Sequence, residues 1–111
     1  MLQEVAGCDL YGNTLEAVNK VKPEQLIQIE KYRFSSFAGT NLDLKLRERN
    51  IKDIYLVGVC SDICVLHTAI DAYNLGYNIY IYENAIASFN AEGHTFALNH
   101  FRNTLGATIL Q

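Results

Sequence analysis

The sequence predicts an α/β fold built on a mostly parallel sheet. An apolar, β-branched run over Ile54–Val59 leads into an apolar helix that ends at Gly76. The run Tyr77–Tyr82 has the alternation of a strand, and a helix over Ala91–Leu105 precedes a strand over Ala107–Leu110. Such alternation is typical of parallel strands joined by right-handed helical crossovers. We therefore expect ligands to bind at the carboxyl ends of the strands.

The first third of the chain contains weaker signals. Residues 1–12 are predicted to be irregular, because two glycines mark turns there. A short helix is expected to begin at Asn13, and Pro23 prevents it from continuing. The run Leu26–Glu30 is predicted as a short strand that ends at Lys31.

A loop and a helix are predicted before the central strand. Residues 31–39, KYRFSSFAG, form a loop rich in hydroxyl groups and aromatic rings. Thr40 is expected to cap the next helix, whose Leu42 and Leu46 share one face. Asn50 is expected to end that helix in the left-handed conformation.

The composition fits one domain over residues 1–111. The chain is 50% hydrophobic, which can supply a core, and it has one proline.

Its formal net charge is -3 with scattered Lys and Arg residues, which argues against nucleic acid or an anionic membrane surface as the partner. No membrane-spanning run or signal-peptide pattern is present. Because 3 cysteines do not make a disulfide framework, we expect a reducing cytoplasm.

The turn after the central strand is the main candidate for a reactive site. Ser61 is predicted as the N-cap of the following helix, which places Cys64 in its first turn. Backbone N–H groups and the positive end of the helix dipole stabilise a thiolate at such a position, and a nearby Lys31 ammonium would add to this. Alternatively, Cys64 is a small buried hydrophobic residue. The residues alone leave both interpretations open.

Other residues near this motif have simpler interpretations. His67 lies three residues after Cys64, so a Cys/His dyad is conceivable. A hydrogen-bonded core or interface histidine fits its position deeper along the helix better. Cys60, Cys64 and His67 could be read as metal ligands, but they would need a fourth ligand, and their spacing is unusual.

The remaining titratable residues are interpreted as part of the solvated surface. His94 and His100 are expected to be solvated helix residues, and Asp62 and Asp71 are expected to solvate or cap helices. No nucleotide-binding glycine loop is present, which disfavours a Rossmann dehydrogenase despite the similar alternation.

Two motifs resemble those of the nicotinamidase/isochorismatase-like cysteine hydrolases. GVCSDICV, at 58–65, resembles the nucleophile motif of this family, and KYRFSSF, at 31–37, resembles its lysine motif. The resemblance to bacterial nicotinamidases continues through VLHTAIDAYNLGY and FALNHFRNTLGA and covers most of residues 10–110. The two motifs are specific because they occur together, in the expected order and separation.

The resemblance implies a three-layer α/β/α, Rossmann-like domain and a cysteine amidase with an Asp–Lys–Cys triad. Cys64 matches the nucleophile and Lys31 matches the lysine. The resemblance implies that the backbone N–H groups of Cys60 and Cys64 form the oxyanion hole. It also implies that the peptide bond between Val59 and Cys60 is cis. Phe34 matches an aromatic residue that lines the pyridine pocket. The implied reaction converts nicotinamide to nicotinate and ammonia through a thioester.

The match leaves out the family's aspartate strand and its metal site. Asp9 is not preceded by a predicted strand, and no histidine precedes His67. The sequence therefore resembles only the C-terminal part of the domain, with the N-terminal strands missing, and is expected to be inactive alone. The missing strand would leave one edge of Ile54–Val59 exposed unless a partner chain covers it. The family's divalent, zinc-like metal would need ligands that this chain lacks.

Three hypotheses follow. The first is a nicotinamidase-like amidohydrolase acting on a small molecule. The second is an isochorismatase-like or N-carbamoyl-amide hydrolase, since the pocket residues that would separate these activities lie mostly in the unmatched half. The third is a non-catalytic remnant or an α/β interaction module. A homo-oligomer is compatible with each of them.

Overall fold

A computed structural model of the chain describes the backbone of residues 2–5 and residues 29–111. The described strands form one sheet: β1 Leu2–Val5, β2 Asp53–Val59, β3 Asn78–Ala87 and β4 Thr108–Leu110. The described helical segments are α1 Leu42–Glu48, a π-helical turn Ser61–Val65, α2 Leu66–Asn74 and α3 Ala91–Asn103.

The sheet is parallel throughout its described strands, in the order β1-β2-β3-β4. The predicted α/β class with parallel strands is therefore confirmed. Strands β2 and β3 are each followed by helix and then by the next strand of the sheet, as the alternation indicated. Strand β3 runs five residues beyond the predicted end at Tyr82, because its pairing with β2 shifts register after Leu56 and resumes at Gly58↔Ile86.

Two expectations about the N-terminal region are wrong. Residues 1–12 were expected to be irregular, but Leu2–Val5 forms a strand. The edge of β2 was expected to be exposed, but this strand pairs with it. The register runs from Leu2↔Asp53 to Val5↔Leu56. An open ladder on β2 would leave backbone N–H and C=O groups without partners, and β1 supplies partners along Asp53–Leu56. A four-residue strand is too short for periodicity to reveal.

The predictions for the helix near Asn13 and for most of the strand near Leu26 lie outside the described residues. Ile29 and Glu30, which were expected to complete that strand, have no regular secondary structure.

The core lies where the helices pack on the sheet. Alternate residues of the two central strands face it, Ile54 and Leu56 from β2 and Ile79 and Ile81 from β3. These four side chains are at most 5% exposed. The helices contribute a further set of buried apolar residues: Leu42, Leu46, Leu66, Ala69, Ala72, Ala97 and Phe101. Burial of this apolar area is the main stabilising term.

The other face of the same strands carries tyrosines. Tyr55 and Tyr80 are register partners, and their rings stack with centroids 4.5 Å apart. The ring of Tyr82 lies 5.7 Å from that of Tyr55. Burial and the neighbouring Tyr80, Tyr82 and Asp53 side chains raise the pKa of Tyr55.

Helix α1 ends as predicted and begins slightly differently. Asn50 has a positive φ of 56°, the left-handed conformation expected of it. The N-cap is Asn41 rather than Thr40, and the Asn41 side chain makes no capping bond. The Thr40 hydroxyl nevertheless accepts a hydrogen bond from the Leu42 N–H at 3.3 Å, so it satisfies one of the helix's free donors.

A polar contact fixes α1 against the start of β3. Tyr77 is 5% exposed, and its hydroxyl donates to a carboxylate oxygen of Asp43. The Arg47 guanidinium lies 4.7 Å from the centroid of the Tyr77 ring. Burial and the Asp43 carboxylate raise the pKa of Tyr77 to about 12.

Within the part of the chain that the structure describes, no helix has the length and apolar character needed to cross a membrane.

Candidate active site

The turn after β2 presents Cys64 at the carboxyl edge of the sheet. Gly58 has a φ of 129°, a conformation that side chains disfavour, and the next peptide bond, Val59–Cys60, is cis as predicted. The carbonyl oxygen of Cys60 accepts hydrogen bonds from the N–H groups of Ile63 and Val65, both at 3.1 Å. The second of these bonds spans five residues, which makes the turn π-helical.

The N-cap of this turn differs from the prediction. Cys60 occupies the N-cap with an extended backbone, and its side chain makes no capping bond. Ser61, the predicted N-cap, is the first residue of the turn and is fully buried. Because Ser61 lies one position past the N-cap, its hydroxyl does not cap the turn, and it contacts His94 of a neighbouring helix instead.

Lys31 reaches the cysteine from a distant part of the chain. Its Nζ atom lies 3.8 Å from the Cys64 Sγ atom. The same ammonium donates to the carbonyl oxygens of Arg33 and Phe34, each at 3.1 Å. Two carbonyls of its own loop thus aim the charge at the sulfur. The structure therefore brings together the lysine and the cysteine that the motifs had indicated.

Buried hydroxyls attach the lysine loop to helix α2. The Ser36 N–H donates to the Thr68 hydroxyl at 2.9 Å, and Thr68 is 2% exposed. The Ser35 hydroxyl accepts from the Phe37 N–H at 3.1 Å, and the Thr40 hydroxyl donates to the Ser36 carbonyl at 2.6 Å. Since α2 directly continues the π-helical turn, this attachment fixes the loop relative to Cys64. The sequence alone did not indicate this role for Ser35 and Ser36.

An aromatic pair borders the same site. The rings of Phe34 and His67 lie 5.3 Å apart between centroids at an angle of 47°. Phe34 is 58% exposed, so much of its ring is open to a ligand. His67 is exposed and its Nδ1 atom is 2.7 Å from the Ile63 carbonyl oxygen, so it is hydrogen-bonded but does not lie in the core. The structure gives no Cys64–His67 hydrogen bond in its described residues, and the dyad has no support there.

Two residues predicted to be solvated make specific contacts instead. His94 is half-buried, and its Nδ1 atom lies 2.8 Å from the Ser61 hydroxyl oxygen. Asp62 accepts a hydrogen bond from the Ser88 hydroxyl at 2.7 Å, and its carboxylate packs against Gly93. Both expectations failed because the partners are distant in sequence. The sequence feature that came closest to indicating these contacts is the polar pair Ser61-Asp62 directly after a buried strand. Buried hydroxyls and carboxylates at such a position require hydrogen-bond partners.

The described residues do not fit a metal site. Within residues 29–111, no group of three or more His, Cys, Asp or Glu side chains is arranged to hold an ion. Cys60 and Cys64 are free thiols. Asp9, considered and rejected as the triad acid, lies outside the described residues, although the strand β1 does precede it.

The comparisons with known proteins agree with this geometry. The isochorismatase domain matches residues 6–111. The chain is 54% identical over 106 residues to the uncharacterized isochorismatase family protein PncA of Bacillus subtilis, covering 95% of this chain and 58% of the relative. The chain thus spans a little over half the length of that relative.

Solved structures show the same fold. The crystal structure of nicotinamidase/pyrazinamidase PncA from Bacillus subtilis superposes with a TM-score of 0.88 at 52% identity, covering 93% of this chain and 57% of that one. The nicotinamidase SaPncA from Staphylococcus aureus superposes with a TM-score of 0.89 at 45% identity, covering 99% and 74%.

More distant neighbours differ in what they bind or act on. A pyrazinamidase of Pyrococcus horikoshii, solved in complex with zinc, has a TM-score of 0.69 at 33% identity, covering 74% of this chain and 45% of that one. The N-carbamoylsarcosine amidase of Thermoplasma acidophilum has a TM-score of 0.68 at 35% identity, covering 83% and 54%. The matched domain, the shared fold and the paired motifs around Lys31 and Cys64 together place this chain in the isochorismatase family.

Proposed function

We propose that the protein containing this chain is a cysteine-dependent amidohydrolase that converts nicotinamide to nicotinate and ammonia. The observation that supports this most directly is the 3.8 Å approach of the Lys31 ammonium to the Cys64 sulfur. A cation this close to the sulfur attracts the negative charge of the thiolate, which is the nucleophilic form of cysteine. Nicotinamidases with the same fold, at 45% and 52% identity, support the choice of substrate.

The proposed reaction has two stages. The Cys64 thiolate attacks the carbonyl carbon of the amide, and the carbonyl π electrons move onto oxygen. When the oxyanion collapses, the C–N bond breaks, and the nitrogen leaves as ammonia with the proton that the cysteine thiol had given to the base of the triad. Water then attacks the thioester and gives one proton to the same base. The C–S bond breaks, the sulfur returns as thiolate, and the acid product loses its proton to solvent as it leaves as the carboxylate. The Lys31 side chain, with Nζ 3.8 Å from the sulfur, stabilises the sulfur anion at the beginning and at the end of the cycle.

We assign the stabilisation of the oxyanion to the backbone N–H groups of Cys60 and Cys64. The described residues provide no hydrogen-bond acceptor for the Cys60 N–H, whereas the carbonyl of Cys60 is engaged by Ile63 and Val65. An N–H group free to meet the substrate, beside the nucleophile, is the arrangement that such stabilisation requires. Removal of one donor of this kind typically lowers the rate by about 10²–10³.

Phe34 is proposed to hold the aromatic ring of the substrate. Its ring stands at the site's border, largely exposed and supported on one side by His67. A flat apolar ring of this kind favours stacked or tilted contact with another aromatic ring. Because the backbone carbonyl of Phe34 also accepts from Lys31, the pocket wall and the catalytic cation have a common anchor.

We assign the aspartate of the triad and the metal ligands to the part of the protein that the structure does not describe. Zinc occurs in the Pyrococcus horikoshii relative, but the described residues of this chain do not fit an ion, so no step above uses one. The free thiols of Cys60 and Cys64 fit a reducing compartment, and we infer a cytoplasmic location from them.

Ammonia release from nicotinamide tests the proposal. The assay is made on the longest product of the gene and, in parallel, on the 111-residue chain. Cys64→Ala and Cys64→Ser are expected to abolish release, and Cys8→Ala, which alters a cysteine without a proposed role, is the matched control. Undiminished activity in Cys64→Ala would overturn the assignment of the nucleophile.

A second candidate substrate class has its own support. The N-carbamoylsarcosine amidase of Thermoplasma acidophilum shares the fold at 35% identity, so an N-carbamoyl amide is a reasonable alternative to nicotinamide. A panel of nicotinamide, isochorismate and N-carbamoyl amides would separate the two classes by kcat/KM. Absence of turnover throughout the panel, together with an unreactive Cys64, would favour a non-catalytic interaction module. Size-exclusion chromatography with light scattering on the same sample tests for a homo-oligomer.

A further inference from the structure

We propose that His94 is a positioning residue for the nucleophile turn, the segment Ser61–Val65 that includes Cys64. It lies on α3, a different element from any that the proposed mechanism uses, and acts through the Ser61 hydroxyl. This inference rests on the proposed function, because what is being positioned is the proposed nucleophile. It assigns a role to a residue whose hydrogen bond is to Ser61, three residues before the nucleophile.

The contact between His94 and Ser61 has the features of a required hydrogen bond. Ser61 is 0% exposed, and its Oγ atom lies 2.8 Å from Nδ1 of His94. A buried hydroxyl without a partner destabilises the folded state, so a partner at this point is needed. The imidazole can serve in either tautomer, because a hydroxyl both donates and accepts.

A second contact ties the next residue of the turn to the same end of α3. Asp62 accepts from the Ser88 hydroxyl at 2.7 Å, and its carboxylate lies against Gly93, directly before His94. The N-terminus of α3 is itself well fixed, because the side chain of Asn90 accepts from two backbone N–H groups of its first turn, at 3.0 and 3.2 Å. Two consecutive residues of the nucleophile turn are therefore attached to one rigid support.

The turn needs such support because it has little of its own. It is five residues long, it is π-helical rather than α-helical, and no side chain caps it. Both the Cys64 sulfur and the Cys60 N–H depend on where this turn lies relative to Lys31. A displacement of about 1 Å in a reacting group can lower a rate by about 10²-fold. Loss of the His94–Ser61 bond would therefore displace Cys64 enough to lower the reaction rate without unfolding the protein.

The test compares His94→Ala with His94→Asn. The asparagine side chain places an amide atom near the position of Nδ1 and can keep the bond to Ser61, whereas alanine cannot. We expect His94→Ala to lower both the iodoacetamide alkylation rate of Cys64, followed by peptide mapping, and kcat for nicotinamide by at least about tenfold, with KM little changed. We expect His94→Asn to recover most of both. His100→Asn, on the same helix and stacked on Phe96, is the matched control.

Ser61→Ala keeps the experiment decisive if His94→Ala fails to fold. It removes the hydroxyl together with its need for a partner. If the bond is the positioning contact, Ser61→Ala lowers Cys64 alkylation and kcat, and adding His94→Asn to it restores neither. Equal rates in wild type, His94→Ala and Ser61→Ala would overturn the proposal. Equal losses in His94→Asn and His94→Ala would do so as well.

The alkylation measurement does not require turnover, so it separates this inference from the proposed function. If wild-type protein does not hydrolyse nicotinamide, the proposed function fails, and the alkylation series still decides whether His94 positions Cys64. If nicotinamide is hydrolysed and the series shows no effect of His94, only the positioning role fails.

Discussion

The Nζ atom of Lys31 lies 3.8 Å from the Sγ atom of Cys64, although 33 positions separate the two residues in the chain. The contact is held from both sides. Two loop carbonyls accept from the ammonium, and the buried Ser36–Thr68 bond attaches the loop to the helix that follows Cys64. A cation so placed acts on the sulfur as a fixed charge, and the first prediction follows from it.

Removing the charge of Lys31 is expected to slow the reactions of Cys64. Two opposite charges about 4 Å apart attract by about 1 kcal/mol in water and by about 4 kcal/mol near a protein surface. Lys31→Met should therefore slow iodoacetamide alkylation of Cys64 at neutral pH by about tenfold or more and lower kcat for nicotinamide at least as much. Lys52→Met, at an exposed lysine before β2, is the control. Equal alkylation rates in the two variants would show that the Lys31 charge does not act on the sulfur.

Substitution of Gly93 should depend on Asp62. A Cβ atom at residue 93 would overlap the Asp62 carboxylate, so Gly93→Ala is expected to lower the free energy of unfolding by about 1–3 kcal/mol. In an Asp62→Ala background the clash with the carboxylate is gone and a close contact with the Cβ atom of residue 62, at 3.3 Å, remains. The higher helix propensity of alanine, about 1 kcal/mol, opposes that contact, so most of the cost should disappear. Urea unfolding of wild type, the two single variants and the double variant measures how the Gly93→Ala change alters the free energy of unfolding in each background. A cost that persists without the Asp62 carboxylate would contradict the packing described here.

The core of α3 provides a stability prediction with an internal control. Phe101 is 0% exposed and Phe96, on the same helix, is 60% exposed. Phe101→Ala should cost about 3–5 kcal/mol of unfolding free energy, because it removes a large apolar side chain and leaves a cavity. Phe96→Ala should change stability by no more than about 0.5 kcal/mol. Similar losses in the two variants, measured by chemical denaturation, would mean that the helix packs on another face.

The raised pKa of Tyr77 leads to a prediction of how the free energy of unfolding changes in alkaline solution. Its pKa is raised from 10.0 to about 12 by burial and by the Asp43 carboxylate. The folded protein therefore holds the phenolic proton over a range in which the unfolded chain releases it. The resulting stability is fully present below pH 10 and is lost as the pH rises toward about 12. In Tyr77→Phe the decline over this range should be shallower than in wild type, which unfolding free energies measured at successive pH values would show. Parallel declines would contradict the assignment.

Much of the site could be predicted because it is encoded locally. The strand, the turn and the helix around Cys64 are contiguous, and the left-handed Asn50 is also a property of a short segment. The cis Val59–Cys60 bond was expected from the family resemblance rather than from the residues alone. The approach of Lys31 to Cys64 followed from placing both at the carboxyl edge of a parallel sheet. The lysine is found there even though Ile29 and Glu30, just before it, do not form the expected strand.

The contacts that the sequence did not reveal are polar and distant. Ser61 meets His94 across 33 positions, and Asp62 meets Ser88 across 26. Hydrophobic periodicity places a helix on a sheet, but it does not determine which polar residue on one element meets which on another. The strand β1 was missed for a different reason, since four residues contain too few alternations to be distinguished from a loop.

Peptide mapping of an acid-quenched reaction tests the central claim most directly. Protein is mixed with excess nicotinamide, quenched in acid during turnover, digested and analysed by mass spectrometry, with Cys64→Ala in parallel. The proposed mechanism predicts a nicotinoyl thioester on the peptide that contains Cys64, and none in the Cys64→Ala variant. Nicotinamide hydrolysis accompanied by an adduct on Cys60 instead, or by continued turnover in Cys64→Ala, would contradict it.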